Sequence, residues 1–193
     1  MSKNQKNILA KLIRIIAIPP TFITVLALSI SVLLPEIYRH TGDLLVTVTA
    51  LAIIPTLAYP LSAVIPKYRA LGRQGSRSLA FTTSAVGYTL GFIYAFASGA
   101  TAELKFIFTG YIIALIALTV FNRVFKLKAS GHACGILGPL LYAVRFFGIG
   151  WLVPCALVLI AVVWASLYRK SHTPRELALG GLCAALGFFV GLI

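Results

Sequence analysis

The sequence predicts an all-α integral membrane protein, for three reasons. Hydrophobic residues make up 60% of the 193 residues and charged residues only 11%, whereas soluble domains carry about 25% charged residues. The mean hydropathy is +0.97. Seven apolar segments, most of them close to the ~20 residues of a spanning helix, alternate with short polar loops. Helices are the expected form because lipid offers no partner to an unpaired backbone N–H or C=O group.

The apolar segments follow one another without a repeat or a low-complexity linker, which predicts one domain over residues 1–193. In the first segment, Pro19 and Pro20 interrupt the helical pattern, so the basic stretch before them is expected to form a separate amphipathic helix. Pro55 and Pro60 predict kinks in the second segment. The fifth and seventh segments are short for a span. In order, the segments are Ile15–Leu34, Leu44–Ile65, Leu79–Gly99, Leu104–Asn122, Ala133–Gly148, Trp151–Tyr168 and Leu177–Ile193.

Positive charge is concentrated at one end of the expected bundle. The formal net charge is +13, but so apolar a chain lacks the water-facing surface for a nucleic acid duplex, and nucleic acid is excluded as a partner. If all seven segments span, the other end has only Arg39 and Lys105 as cations. The positive-inside rule then predicts that the cationic end is cytoplasmic. This end carries Lys3, Lys6, Lys11, Arg14, Lys67, Arg69, Arg73, Arg77, Arg123, Lys126, Lys128, Arg169, Lys170 and Arg175.

The three cysteines, Cys134, Cys155 and Cys183, all lie in apolar segments and lack the paired spacing of a metal site. They are expected to be small apolar side chains without a disulfide framework. The sequence therefore predicts neither a metal nor another cofactor.

Two loops at the cationic end each place one histidine at the entrance of an apolar segment. They are Arg123–Ala133, with His132, and Ser166–Gly181, with His172. The third histidine, His40, falls at the opposite end and is interpreted as solvated surface. Taken alone, each loop is typical of an interfacial anchor. Because both histidines are expected at the same end and depth, the pair favours a functional site.

Together these loops contain the groups that phosphoryl transfer requires. A neutral imidazole can attack phosphorus, and a second one can protonate the leaving oxygen. Glu176 lies four residues after His172, one helical turn on, where a carboxylate can hold the ring. Ser130 and Gly131 lie at an expected helix N-terminus, which suits a phosphate. The pattern HTPRE also predicts a helix start, with Thr173 as N-cap and Pro174 at the first helical position.

These residues resemble the type 2 phosphatidic acid phosphatase superfamily of integral-membrane lipid phosphatases. The second signature of that superfamily is Pro-Ser-Gly-His, and here Ala129–His132 reads ASGH. The third is Ser-Arg, five residues, His, three residues, Asp, and His172 and Glu176 match its last two positions. The resemblance covers about Leu104–Ile193. It implies a six-helix transmembrane core, residues 44–193, preceded by a basic segment and an additional helix, residues 1–43.

By resemblance, His172 is the nucleophile, His132 the general acid and Glu176 the orienting carboxylate. Two features depart from the pattern. Ser166 stands where the third signature has its arginine, and the chain has no Arg-Pro dipeptide for the first signature. Lysines before ASGH and an arginine one turn after Ser166 are the expected substitutes. The predicted phosphate-binding residues are Lys126, Lys128, Ser130, Gly131, Arg169 and Arg123.

The leading functional prediction is a lipid phosphatase that uses a phosphohistidine intermediate. Its substrate is expected to be a prenyl phosphate or diphosphate, or a lipid of the phosphatidate type, reached from the bilayer. Three alternatives stay open: a non-hydrolytic protein that binds or transports an anionic lipid, a phosphoryl or headgroup transferase, and a structural membrane subunit. The residues leave the exact lipid and the oligomeric state open.

Overall fold

The computed structural model describes residues 2–193, apart from the side chains of Lys3 and Arg73, and the regular elements within this range are helical. Each predicted apolar segment contains a helix, so the all-α prediction is confirmed. The helices are α1 Lys3–Ile16, α2 Pro19–Leu33, α3 Thr41–Val64, α4 Pro66–Ala70, α5 Gly72–Ala97, α6 Ala102–Val124, α7 Gly131–Phe147, α8 Leu152–Tyr168 and α9 Pro174–Gly191.

Five helical stretches in the described chain are long and apolar enough to cross a membrane. The pair α1 and α2 makes a sixth candidate, bent by 58° at its break. Helix α7 has 17 residues and is not among these candidates, in line with the short fifth segment expected from the sequence. The chain is therefore suited to cross a membrane several times. The five stretches are Thr41–Val64, Gln74–Ala97, Ala102–Val124, Ile149–Tyr168 and Pro174–Gly191.

The N-terminal basic stretch forms the separate helix that the two prolines predict. Ser2 and Gln5 cap its start reciprocally, and α2 begins with Pro19 at its first position. Helix α1 packs against α8, and Ile13 and Ala17 join an apolar cluster there. This helix is thus part of the bundle and not only an appendage on its surface.

Helix α3 changes its helix type just before Pro55, while the kink expected there stays a prediction. Residues Thr49–Ile53 form a π-helical stretch immediately before it, in which the Ile54 N–H donates to the Thr49 carbonyl. A wider turn of this kind accommodates a missing backbone donor and a bulky ring within a continuing helix.

Glycines let α9 approach α6 and α7 closely. Gly187 lies against the Gly110 carbonyl of α6, and a Cβ at either position would collide with its neighbours. The same holds for Gly180, whose missing side chain leaves space for the Ser130 carbonyl at the start of α7. The glycines of the C-terminal segment thus serve close helix packing.

The loops separate into two clusters at opposite ends of the bundle. At one end, the Thr101 hydroxyl donates to the Ile37 carbonyl at 2.7 Å. There Asp43, fully buried, accepts hydrogen bonds from Arg39 and from the Tyr94 hydroxyl. At the other end lie the loops that precede α7 and α9. Helices of alternating direction therefore bring both predicted histidine loops to one end.

We predict that Gly180→Ala lowers stability, because the added methyl group meets the Ser130 carbonyl. Overpacking of this kind costs about 1–3 kcal/mol, which lowers the melting temperature in detergent by several degrees. Gly181→Ala is the matched control, since its Cβ meets only a Leu137 methyl at 3.4 Å. Equal melting temperatures for the two variants would contradict this packing.

Candidate active site

The two histidine loops are joined by a backbone hydrogen bond. The Ser130 N–H donates to the Glu176 carbonyl at 2.9 Å. Gly180, one turn after Glu176, permits this close approach. The start of α7 and the first turn of α9 are consequently held side by side.

Asn122 orders the loop that leads to His132. Its side-chain amide donates to the carbonyls of Leu118 and Ala129, and its Oδ1 accepts from the Ala129 N–H at 3.1 Å. Sequence reasoning did not identify Asn122 as part of the site. The signal for it was an isolated amide at the end of an apolar segment, directly before the polar loop.

The start of α9 agrees with the predicted helix cap. Thr173 is the N-cap, its hydroxyl accepts from the Glu176 N–H at 3.2 Å, and Pro174 occupies the first helical position. This cap places His172 one residue before the N-cap and Glu176 in the first turn. Their side chains can therefore meet across the helix start.

Glu176 bridges a histidine and a lysine. One carboxylate oxygen lies 3.0 Å from His172 Nδ1, and the other lies 2.8 Å from Lys128 Nζ. The side chains of His172 and Glu176 are only 13% and 10% exposed, so water competes weakly for this contact. A carboxylate that accepts a hydrogen bond from the Nδ1–H group favours the tautomer with its lone pair on Nε2. His172 is thus oriented and polarised as a nucleophile or base.

The two imidazoles face each other across a gap. The ring centroids of His132 and His172 are 6.4 Å apart, with an angle of 14° between the ring planes. This separation is too large for a direct hydrogen bond. It is about twice the 3–3.5 Å that separates reacting atoms before attack. A single small group can therefore contact both rings.

Burial holds His132 in its neutral form. This histidine is the second residue of α7 and precedes the apolar part of that helix. Burial is the main cause that lowers the pKa of His132 to about 4, followed by the charge of Arg14 and by His172. Its Nε2 atom is buried and has no hydrogen-bond partner among the described residues. An anion placed between the rings would satisfy this atom and raise its pKa.

The remaining predicted phosphate-binding residues are placed differently. The Gly131 backbone is exposed at the start of α7. The Ser130 side chain is buried and its hydroxyl accepts from the Ala133 N–H, so its hydroxyl caps α7. Arg123 lies over the Phe81 ring at 6.0 Å. Lys126 and Arg169 are exposed and form no side-chain hydrogen bond or ion pair with the described site residues.

Ser166, which stands where the third signature of the resembled superfamily has an arginine, carries no charge. It is completely buried on α8, and its Oγ atom has no hydrogen-bond partner in the described chain. Its backbone carbonyl accepts hydrogen bonds from the Ser171 N–H and hydroxyl, which folds the loop that carries His172. Position 166 therefore supplies no positive charge to the cavity beside His172.

A cavity of about 350 Å³ opens beside His172 and Glu176, and it is also lined by Lys128, Leu167 and Lys170. A larger, mostly apolar groove of about 440 Å³ lies between α2 and α3 and contains none of the predicted site residues. Within residues 2–193, no group of three His, Cys, Asp or Glu side chains is arranged to hold a metal ion.

A comparison of the chain with models of protein families finds no match, and comparisons with curated proteins and with solved structures find none either. The functional interpretation therefore rests on the residues of this chain and on their geometry.

We predict that His132 titrates near pH 4 without added phosphate, because burial disfavours its charged form. Added inorganic phosphate should move the midpoint upward, since a neighbouring anion favours the imidazolium. The measurement is a pH titration of the imidazole nitrogen resonances in detergent, with and without phosphate. His40, at the opposite end, is the internal control and should not respond to phosphate. An unperturbed His132 midpoint would contradict the burial seen here.

Proposed function

We propose that this protein is a membrane phosphatase that hydrolyses a lipid phosphate or diphosphate through a phosphohistidine intermediate. The single observation that carries the proposal is the His172 ring, held by Glu176 at 3.0 Å and facing His132 across 6.4 Å. An oriented imidazole opposite a second imidazole is the pair that two-step phosphoryl transfer needs.

In the first step, the Nε2 lone pair of His172 attacks the phosphorus. A P–N bond forms while the bond from phosphorus to the lipid oxygen breaks, and the electron pair leaves with that oxygen. Protonated His132 gives its proton to the leaving oxygen. The protonation of His132 follows from substrate binding, because the phosphate charge raises a pKa that burial otherwise keeps low.

In the second step, neutral His132 takes a proton from a water molecule. The water oxygen attacks phosphorus, the P–N bond breaks, and its electron pair returns to His172. Inorganic phosphate leaves, and both histidines recover their starting protonation. Glu176 stabilises the positive charge on His172 while the P–N bond exists.

The phosphoryl oxygens need positive charge and N–H donors at the same place. Lys128 supplies a cation beside His172, since it lines the same cavity and contacts Glu176 at 2.8 Å. The N-terminus of α7 contributes backbone N–H groups and its dipole through Gly131 and His132. Lys126, Arg123 and Arg169 act as secondary cations that attract the substrate to this end of the bundle.

A lipid substrate is supported by the position of the site. The histidines lie at the end of apolar helices, so a phosphorylated headgroup at the membrane surface can reach them while its tail stays in the bilayer. The resemblance of ASGH and of the His172–Glu176 spacing to lipid phosphatases supports the same class. The concentration of cations at this end favours a cytoplasmic site, where phosphatidate-type lipids or prenyl phosphates and diphosphates would be met.

A second candidate is a non-hydrolytic protein that binds or transports an anionic lipid. The observation that favours it is Ser166, which is buried and uncharged where the lipid phosphatases that the chain resembles have an arginine. The pairing of Lys128 with Glu176 points the same way, because it takes up part of the charge that would bind phosphate. A phosphoryl transferase would use the same histidine pair with an alcohol in place of water.

We predict phosphate release from at least one lipid in a panel of phosphatidate, phosphatidylglycerophosphate and prenyl mono- and diphosphates. The purified protein is assayed in detergent, and release should persist with EDTA because the proposed nucleophile is an imidazole. His172→Ala should reduce the rate by about 1,000-fold or more, and His132→Ala by about 100- to 10,000-fold. His40→Ala, which removes the histidine at the opposite end, should behave as wild type.

Each other result has a defined meaning. Release that is unchanged in His172→Ala would overturn the phosphohistidine mechanism. Saturable lipid binding without release would favour the second candidate. Transfer of the phosphoryl group to an added alcohol, with little free phosphate, would identify a transferase.

A further inference from the structure

Helix α1 carries an arginine toward the end of α8 that lies beside the histidine pair. Ile13 of α1 and Ala17, which follows its last residue, pack into an apolar cluster with Ile136 of α7 and Val162 of α8. Arg14, next to Ile13 on the same helix, is half-buried. The contact between α1 and α8 thus brings the final turn of a basic helix against the two helices that carry His132 and Ser166.

A second contact fixes this arrangement from the other side of the helix break. Pro19, the first residue of α2, lies directly against Gly135, where a Cβ would be 2.6 Å from the proline Cβ. Gly135 is three residues after His132, and residues at this spacing share a helix face. The junction between α1 and α2 therefore covers the face of α7 on which His132 lies.

The charge of Arg14 acts on the His132 ring, and it is the largest electrostatic influence on that histidine. Together with the packing of Ile13 in the cluster that includes Ile136 and of Pro19 against Gly135, this influence indicates that the guanidinium lies on the His132 side of α7. The Nε2 atom of His132 has no hydrogen-bond partner among the described residues. The arginine and this histidine together supply several hydrogen-bond donors on one side of α7. Such a pair is suited to an anion between them.

Ser166 lies where the lipid phosphatases that the chain resembles have a positively charged arginine. It lies four residues after Val162, so both are on one face of α8, the helix against which α1 packs. Its Oγ atom is buried without a partner in the described chain. Arg169, the substitute expected from the sequence, is exposed after the end of α8. The half-buried arginine that approaches this region is on α1.

We propose that Arg14 is a phosphate-binding residue of this site, supplied by the N-terminal helix in place of the arginine absent at position 166. This inference rests on the proposed function. Its ligand is the phosphoryl group itself, whether of a lipid phosphate monoester or of inorganic phosphate. A guanidinium binds two oxygens of such a group at once, which leaves Lys128 free to keep Glu176 in place.

The test compares Arg14→Gln, which removes the charge at similar length, with Lys11→Gln on the same helix. Lys11 is exposed and serves as the matched control for net charge. The affinity for inorganic phosphate is measured in detergent through the His132 and His172 ring resonances, beside a non-hydrolysable phosphonate analogue of a lipid phosphate. Arg14→Gln should weaken both ligands by about 10- to 100-fold, and Lys11→Gln should leave them unchanged. Arg14→Lys keeps the charge but cannot bind two oxygens at once, so its affinity should lie between those of the wild type and of Arg14→Gln.

Melting temperatures of all variants separate misfolding from lost binding. A folded Arg14→Gln protein with wild-type affinity would overturn the inference. Equal weakening by Arg14→Gln and Lys11→Gln would also overturn it, since the effect would then be general electrostatics. So would a loss confined to the phosphonate lipid, which would indicate contact with the lipid and not with the phosphoryl group.

The same protein samples are assayed for phosphate release. Arg14-dependent phosphate binding without turnover would retain the inference and reject the phosphatase. Turnover unaffected by Arg14→Gln would retain the phosphatase and reject the inference. Failure of the wild type to bind either ligand would reject both.

Discussion

The candidate site depends on Glu176, which contacts both of its loops. The carbonyl of this residue accepts the Ser130 N–H, and its carboxylate contacts His172 and Lys128. The first contact places the start of α7 beside the start of α9, and the second orients the His172 ring. A single residue therefore contributes both to the separation of the histidines and to the orientation of one of them. Because its side chain is mostly buried, these contacts are stronger than they would be in water.

At the opposite end of the bundle, the carboxylate of Asp43 stabilises the packing of helices. Asp43 is fully buried and is satisfied by the Arg39 guanidinium and the Tyr94 hydroxyl, which tie α3 to α5. Glu176 differs because it contacts the His172 imidazole at 3.0 Å and an exposed lysine at 2.8 Å, whereas the nearest histidine nitrogen to Asp43, on His40, lies 4.0 Å away. The apolar middle of the bundle separates these two polar clusters.

Local sequence rules account for much of this architecture. Apolar segment lengths predict the helices, and Thr173, Pro174 and Glu176 predict the helix start that puts a carboxylate beside His172. The meeting of His132 with His172 follows from helices of alternating direction, so the order of apolar segments and loops is enough to predict it. These predictions succeed because they depend on periodicity, capping and spacing, all of which are local properties of the chain.

The parts that sequence reasoning missed depend on tertiary contacts. Lys126 and Lys170 both have positive φ, a conformation that is uncommon for residues other than glycine. No sequence pattern at these two positions predicts it. The position of Arg14 depends on the packing of α1 against α8, which the bend at the prolines after α1 allows. Asn122 is useful only because the following loop folds back onto it. The division of the chain into a six-helix core and an extra helix stays a prediction, although α1 and α2 pack closely on α7 and α8.

The most direct test of the account is whether phosphorus becomes attached to His172 during turnover. The protein would be incubated with a phosphorus-labelled lipid phosphate, quenched in alkali to preserve phosphohistidine, digested and mapped by mass spectrometry. The account predicts an acid-labile label on the peptide that contains His172, absent from His172→Ala and still formed in His40→Ala. Turnover with no label on this peptide, or a label that survives in His172→Ala, would contradict it.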